Sequence, residues 1–146
     1  MIKAKDIMTK NVIYVSPRAT IFEAAKVMKD NDVGFLPIIE NNNLVGVITD
    51  RDIVIKTLAN NMIFSTVNNC ATTSPIYMVK ETTHIEDICT LMSDKQIRRV
   101  PVLDDRGNIT GIISLKDIMK KIPSKINGIF EDVITPIKYI NTNIQI

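Results

Sequence analysis

An internal repeat is the feature of this sequence that most constrains its fold. The segment Val33–Ile39 recurs as Ile97–Leu103, and Val45–Ile53 recurs as Thr110–Ile118. The prolines of the two copies lie 64 residues apart and the glycines 65, because the second copy has one additional residue in the intervening turn. A repeat of this kind predicts two copies of one supersecondary unit, built in the same order.

Each copy is predicted to fold in the order β-α-β-β-α. In the first copy, a short buried strand at Val12–Val15 precedes a helix that begins with a capping box at Thr20. Two strands, Phe35–Ile39 and Leu44–Ile48, follow and are joined by an asparagine turn. A second helix begins after Thr49. Gly34 is predicted to end the first helical region.

Helical spacing predicts which residues of these helices are buried. In the first copy the predicted apolar faces are Ile21, Ala24, Ala25 and Met28, and then Ile53, Ile55 and Leu58. The second copy repeats the order, with strands Ile76–Val79, Val100–Leu103 and Ile109–Ile113. Its first helix opens near Thr83 and has Ile85, Ile88, Cys89 and Met92 on one face. Its closing helix is Leu115–Ile122. The predicted boundaries are 1–62 and 63–123, with an extension 124–146 outside the repeat.

Composition excludes several classes of protein. Eighteen basic and sixteen acidic residues leave a net charge of +2, so no nucleic-acid partner is predicted. No apolar run approaches the ~18 residues that span a bilayer, and Asp6 lies where a signal peptide needs an apolar core. The two cysteines form no CxxC motif and have no histidine nearby, which favours free thiols in a reducing cytoplasm.

A hydroxyl and a carboxylate three residues apart follow the last strand of each copy. The pairs are Thr49 with Asp52 and Ser114 with Asp117. A carboxylate accepts two hydrogen bonds side by side, which suits the adjacent hydroxyls of a ribose, and such charge-assisted bonds contribute ~1.5–3 kcal/mol each. The plain alternative is that the hydroxyls are ordinary N-caps and the acids favour the helix dipole.

These paired motifs, each with a proline-containing strand upstream, resemble the cystathionine-β-synthase (CBS) domain over about residues 3–122. Two copies in tandem resemble a Bateman module, and the chain is similar to the small stand-alone CBS domain-containing proteins. The resemblance implies an α/β (α+β) fold of two pseudo-twofold-related CBS units. It also implies that Asp52 and Asp117 grip ribose, with Thr49 and Ser114 supporting the ribose-phosphate.

The resemblance further implies which residues contact phosphate and adenine. Basic residues of one unit approach the ligand held by the other, so three of them would serve the Asp52 ligand: Arg98, Arg99 and Lys116. Their equivalents toward Asp117 are Gly34, Phe35 and Arg51, of which only Arg51 is basic. The Asp52 site is therefore expected to prefer phosphorylated adenosine. The adenine pocket is assigned to Val12, Ile13, Ile38, Pro75, Ile76 and Val102.

The sequence thus predicts a regulatory module that senses adenosine nucleotides (AMP, ADP or ATP) or an adenosyl compound such as S-adenosylmethionine in the cleft between its two units. We expect a homodimer with an unknown effector protein, no catalysis, no metal and no required cofactor. The rival hypothesis is a scaffold that keeps the CBS fold, uses no ligand and acts through protein–protein interaction.

Overall fold

The computed structural model describes residues 1–122, so the predicted extension 124–146 lies outside the described residues. The helices are α1 (Ala4–Ile7), α2 (Ile21–Asn31), α3 (Asp50–Asp52), α4 (Ile85–Lys95) and α5 (Leu115–Lys121). A π-helical turn (Ile53–Thr57) and a 3-10 turn (Leu58–Asn60) continue α3, and a further 3-10 turn spans Val67–Asn69. The strands are β1 (Phe35–Glu40), β2 (Asn43–Thr49), β3 (Val79–Lys80), β4 (Arg99–Leu103) and β5 (Ile109–Ser114). The predicted mixed class of helices and small sheets is confirmed.

The described chain divides into two compact units that do not follow the order of the sequence. The first unit contains residues 11–77 together with 105–109, and the second contains residues 1–10, 78–104 and 110–122. The amino-terminal ten residues thus belong with the second copy of the repeat, whereas the segment after the first copy stays with the first. The predicted boundaries 1–62 and 63–123 stay a prediction about the sequence, and the compact units group the chain differently.

The first unit is built on the antiparallel pair β1–β2. Phe35 lies opposite Thr49, and the register shifts between Ile38 and Ile39. The strand predicted at residues 12–15 is wrong: only Val15 pairs, through an isolated parallel bridge to Ile38. Val15 alone of these residues exchanges backbone hydrogen bonds with β1, with the Pro37 carbonyl and the Ile39 N–H, and its side chain is in the core.

The capping box at Thr20 is confirmed. The Glu23 N–H donates to Thr20 Oγ1 at 3.0 Å, and the Thr20 N–H donates to Glu23 Oε2 at 2.8 Å. The predicted apolar face is buried except at Ala25, which is exposed. Gly34 does not end this helix, because Asp32 takes the left-handed conformation (φ 51°) at its C-terminus.

The helix after Thr49 departs from its predicted face. Ile55 and Leu58, predicted to be buried, are exposed, and Ile53 is partly buried. The helical repeat changes here, since the chain forms a π-helical turn after α3. Thr57 is wholly buried, and its hydroxyl donates to the Ile53 carbonyl inside that turn. The altered winding turns Ile55 and Leu58 out of the unit's own core.

The second unit contains the three-stranded sheet β3-β4-β5, in which β3 and β4 are parallel. The strand predicted at 76–79 is shorter and later, at Val79–Lys80. The predicted strands β4 and β5 and the helix Leu115–Ile122 are confirmed to within one residue at each end. Ile85, Ile88 and Met92 form the buried face of α4, and Cys89 is partly buried. Each unit has its own cluster of buried apolar residues.

Candidate functional site

The Thr49 and Asp52 pair lies where β2 becomes α3. The Thr49 N–H donates to Asp52 Oδ2 at 2.9 Å, and the Asp52 N–H donates to Thr49 Oγ1 at 3.1 Å. These reciprocal bonds satisfy two backbone donors that the first helical turn leaves unpaired. The predicted N-cap position of Thr49 is confirmed. The capping bonds occupy Oδ2 and leave Oδ1 turned away from the helix backbone.

The second copy repeats this geometry at the junction of β5 and α5. The Ser114 N–H donates to Asp117 Oδ2 at 2.8 Å, and the Asp117 N–H donates to Ser114 Oγ at 3.1 Å. The Ser114 hydroxyl also donates to Oδ2, at 2.8 Å. Both carboxylates are partly buried in their own units. Each is therefore held in a fixed orientation by its cap through Oδ2, while Oδ1 takes no part in the cap.

A threonine on a neighbouring segment completes each junction. In the second unit Thr9 exchanges two backbone hydrogen bonds with Ile112 of β5, at 2.9 and 3.0 Å, and its hydroxyl lies 3.4 Å from Asp117 Oδ1. In the first unit Thr72 exchanges the equivalent bonds with Val47 of β2, at 3.0 and 2.9 Å. The same antiparallel bridge thus places a hydroxyl beside the strand–helix junction twice.

The repeated glycines allow these segments to approach. An ideal Cβ on Gly111 would lie 2.5 Å from Met8 Sδ and 3.0 Å from Met8 Cβ, which is too close for a real contact. An ideal Cβ on Gly46 would lie 3.2 Å from the Thr72 carbonyl oxygen. Glycine at these positions therefore serves close packing of the chain segment that carries Thr9 or Thr72.

We expect Gly111→Ala to destabilise the protein by about 1–3 kcal/mol, the usual cost of overpacking a filled site. The cost arises from Met8, so it should shrink when Met8→Ala is present. Urea unfolding of the four proteins of this double-mutant cycle measures the coupling. An equal cost of Gly111→Ala with and without Met8→Ala would show that this contact is not the reason for the glycine.

Lys56 distinguishes the first-unit junction from the second. Its Nζ lies 3.0 Å from Asp52 Oδ1 and 3.5 Å from Thr72 Oγ1. Nearby, Cys70 is almost wholly buried, and its Sγ lies 3.5 Å from the Val67 carbonyl oxygen. Burial raises the pKa of the Cys70 thiol, the Asp52 carboxylate raises it further, and the Lys56 ammonium opposes this. The thiol is therefore protonated near neutral pH and is a core group here.

The other predicted site residues are distributed over both units. The four basic residues predicted to contact phosphate are all exposed: Arg51, Arg98, Arg99 and Lys116. Among the predicted adenine residues, Ile38 and Val102 are almost wholly buried in the core of their own unit. Val12, Ile13 and Ile76 are partly buried, and Pro75 is exposed. These phosphate and adenine assignments stay predictions.

The sequence analysis did not identify three residues that lie at these junctions, namely Thr9, Thr72 and Lys56. The two threonines lie 63 residues apart, close to the repeat period, so extending the repeat to the flanking segments would have paired them. Lys56 follows Asp52 at a spacing of four residues, the usual spacing of a helical ion pair. Lys121 has the same spacing from Asp117, so spacing alone did not distinguish the two junctions.

Other features of the described chain do not involve the two aspartates. An open groove of about 540 Å³ in the second unit is lined by Lys5, Asp6, Met8, Lys10, Glu81 and Thr110. Its lining includes neither Ser114 nor Asp117. Within residues 1–122, no cluster of three or more histidine, cysteine or acidic side chains is arranged to hold a metal ion. No helix in that range is both long enough and apolar enough to cross a membrane.

Comparison with known sequences agrees with the repeat. The model of the CBS domain matches this chain twice, at residues 4–57 and 67–124. The CBS domain-containing protein YhcV of Bacillus subtilis is 38% identical over 118 residues, which cover 81% of this chain and 84% of YhcV. Both copies of the repeat therefore have a counterpart in a known family.

Solved structures agree with the fold. The CBS domain pair of protein MJ0100, in complex with 5-methylthioadenosine and S-adenosyl-L-methionine, superposes with a TM-score of 0.78 at 32% identity and covers 86% of this chain and 98% of that chain. CBSX2 in complex with AMP gives a TM-score of 0.72 at 28% identity, over 82% of this chain and 95% of that chain. Both are CBS structures that hold an adenosine-containing ligand.

Proposed function

This chain belongs to the CBS domain family as a tandem pair, and we propose that it is a regulatory module that binds an adenosine nucleotide or adenosyl compound without catalysis. The observation that carries the proposal is the repeated junction, in which Asp52 and Asp117 are each oriented by a capping box. In each, Oδ2 accepts one backbone N–H while Oδ1 faces a polar or charged side chain. A carboxylate preset in this way can accept both hydroxyls of a ribose at little ordering cost.

The binding of adenosine ligands by MJ0100 and CBSX2 supports this choice of ligand class. A ligand regulates by binding one arrangement of a protein better than another. AMP, ADP, ATP and S-adenosylmethionine share adenine and ribose and differ in the charge beyond the ribose. We propose that this shared part is recognised at the aspartates and that the charged part determines which member of the class is preferred.

Thermal unfolding in the presence of each of these four ligands tests the proposal. A ligand at 100 times its dissociation constant stabilises a protein by ~2.7 kcal/mol, which raises the midpoint by several degrees. We expect such a shift with at least one of the four and none with guanosine or cytidine nucleotides. The protein must first be shown by mass spectrometry to be free of bound ligand. If its unfolding midpoint then shifts with none of the four ligands, the ligand-free scaffold is favoured instead.

We also propose that Arg98, Arg99 and Lys116 serve the phosphate of the Asp52 ligand, as the sequence predicts. Their exposure supports this role, because all three side chains are accessible to a ligand. We expect Arg99→Ala to lower the preference for AMP over adenosine, as measured by titration calorimetry. High salt should lower the same preference in the unmodified protein. If neither Arg99→Ala nor high salt changes the preference for AMP over adenosine, the assignment of these residues to the phosphate is contradicted.

A homodimer and a cytoplasmic location belong to the same proposal. The exposed apolar surface of the first unit supports self-association: seven large hydrophobic side chains are exposed there, namely Tyr14, Phe22, Val54, Ile55, Leu58, Met62 and Phe64. Large hydrophobic side chains exposed in this number are typical of an interaction surface.

A further inference from the structure

The two ribose-binding aspartates differ in what faces their outer oxygen. Lys56 makes an ion pair with Asp52 Oδ1 at 3.0 Å. At the equivalent position of the second unit, Lys121 makes no ion pair with Asp117 in the described part of the chain, and the neutral Thr9 hydroxyl lies 3.4 Å from Oδ1 instead. One carboxylate is therefore neutralised by an internal cation, whereas the other keeps its charge for a ligand.

The two lysines lie in different backbone conformations. Lys56 lies in the π-helical turn Ile53–Thr57, whereas Lys121 ends the regular helix α5. The hydroxyl of Thr72 further holds the Lys56 ammonium at 3.5 Å. The Asp52 side chain is 16% exposed and that of Lys56 is 45% exposed, so the carboxylate is mostly sheltered while the lysine can move into solvent.

Asp52 has no unoccupied oxygen in this arrangement. Oδ2 accepts the Thr49 N–H, and Oδ1 faces the ammonium. A ribose diol that binds the carboxylate side by side must draw Oδ1 away from Lys56. A neutral nucleoside leaves the displaced ammonium without a partner, whereas a ligand with a phosphate or other anionic group offers it a new one on its flexible stem.

We infer that Lys56 is a specificity-determining residue, which makes the Asp52 site select anionic adenosine ligands over neutral ones while the Asp117 site lacks this selection. The inference rests on the proposed function and adds a determinant within the first unit, independent of the arginines. Burial raises the pKa of the neighbouring Cys70 thiol most, Asp52 raises it further and Lys56 lowers it, because both charges lie near this thiol.

The test uses the full chain carrying Asp117→Ala, so that binding reports the Asp52 site, and measures adenosine and AMP by titration calorimetry. Adding Lys56→Met should raise the affinity for adenosine about three- to fivefold, since a partly exposed ion pair no longer competes. The affinity for AMP gains from the loss of the same competition, but it also loses the attraction between the AMP phosphate and the Lys56 ammonium. The preference for AMP over adenosine should therefore fall about tenfold.

Lys121→Met in an Asp52→Ala protein is the matched control and should leave the preference of the Asp117 site unchanged. Lys56→Arg should retain most of the preference, since the charge is kept. If AMP binds the Asp117→Ala protein but Lys56→Met leaves its preference unchanged, the inference is wrong and the proposed function stands. If the unmodified protein binds neither adenosine nor AMP nor any other adenosine ligand, the proposed function fails and the inference fails with it.

Discussion

Asp52→Ala should weaken the binding of adenosine nucleotides at the first-unit site by about 30- to 150-fold, and Asp117→Ala should do the same at the second. The expected loss corresponds to about 2–3 kcal/mol, because the ribose loses charge-assisted hydrogen bonds to a preset carboxylate. Titration calorimetry of each single variant and of the double variant measures the two sites separately, and the double variant should show no binding.

The capping role of these aspartates must be separated from their ligand role. Asp52→Asn keeps an oxygen that can accept the Thr49 N–H, whose present bond to Asp52 is 2.9 Å. It should therefore retain most of the helix cap, which contributes about 1 kcal/mol to stability, and still lose most of the binding. Asp87→Ala removes an exposed acid from the first turn of α4 and is the control for a general effect of negative charge. If the folded Asp52→Ala variant binds adenosine nucleotides with unchanged affinity, Asp52 serves only as part of a helix cap.

The local parts of this fold were predictable because their signals lie within a few residues. The capping boxes at Thr20 and Thr49 need only a hydroxyl and an acid three residues later, and both are observed. The strands around Pro37 and Pro101 have short apolar runs bounded by turn residues, which fix their ends. The same reasoning placed both hydroxyl–aspartate pairs at strand–helix junctions.

The parts that depend on distant segments were not predictable from these signals. Nothing in the sequence near Thr9 indicates that residues 1–10 join the second copy, because the decisive contact is the fit of Met8 against a glycine more than 100 residues later. The π-helical turn at Ile53–Thr57 carries no local signal either. Its consequence, the outward turn of Ile55 and Leu58, made the predicted buried face wrong.

Ile55 and Leu58 belong to a surface whose polarity differs between the two copies of the repeat. In the first unit, Phe22 and Phe64 contact each other with ring centroids 6.0 Å apart, and Val54, Ile55 and Leu58 are also exposed on this unit. The repeat places Glu86 and Lys120 of the second unit at the positions of Phe22 and Ile55. The apolar character is therefore specific to the first unit and is not a requirement of the CBS fold.

A surface that is apolar on one unit and charged on the other favours one kind of dimer. In a twofold contact the same patch of each copy meets its equivalent, so the first-unit surface can bury itself against a second copy, whereas lysine-bearing surfaces repel each other. Val54 is 54% exposed, and its repeat equivalent Met119 is 37% exposed. The two positions therefore offer a matched pair of substitutions on the two surfaces.

Val54→Glu should convert a dimer at micromolar concentration into monomers, whereas Met119→Glu should leave the dimer intact. A charge buried without a partner at an interface costs several kcal/mol, so the dissociation constant should rise by roughly 100-fold or more. Sedimentation velocity over a range of protein concentrations measures the change, and circular dichroism checks that both variants are folded. Dissociation by both substitutions would extend the interface to the second unit. A dimer that survives Val54→Glu, or a monomer in the unmodified protein with and without nucleotide, would show that the first-unit apolar surface does not hold two copies together.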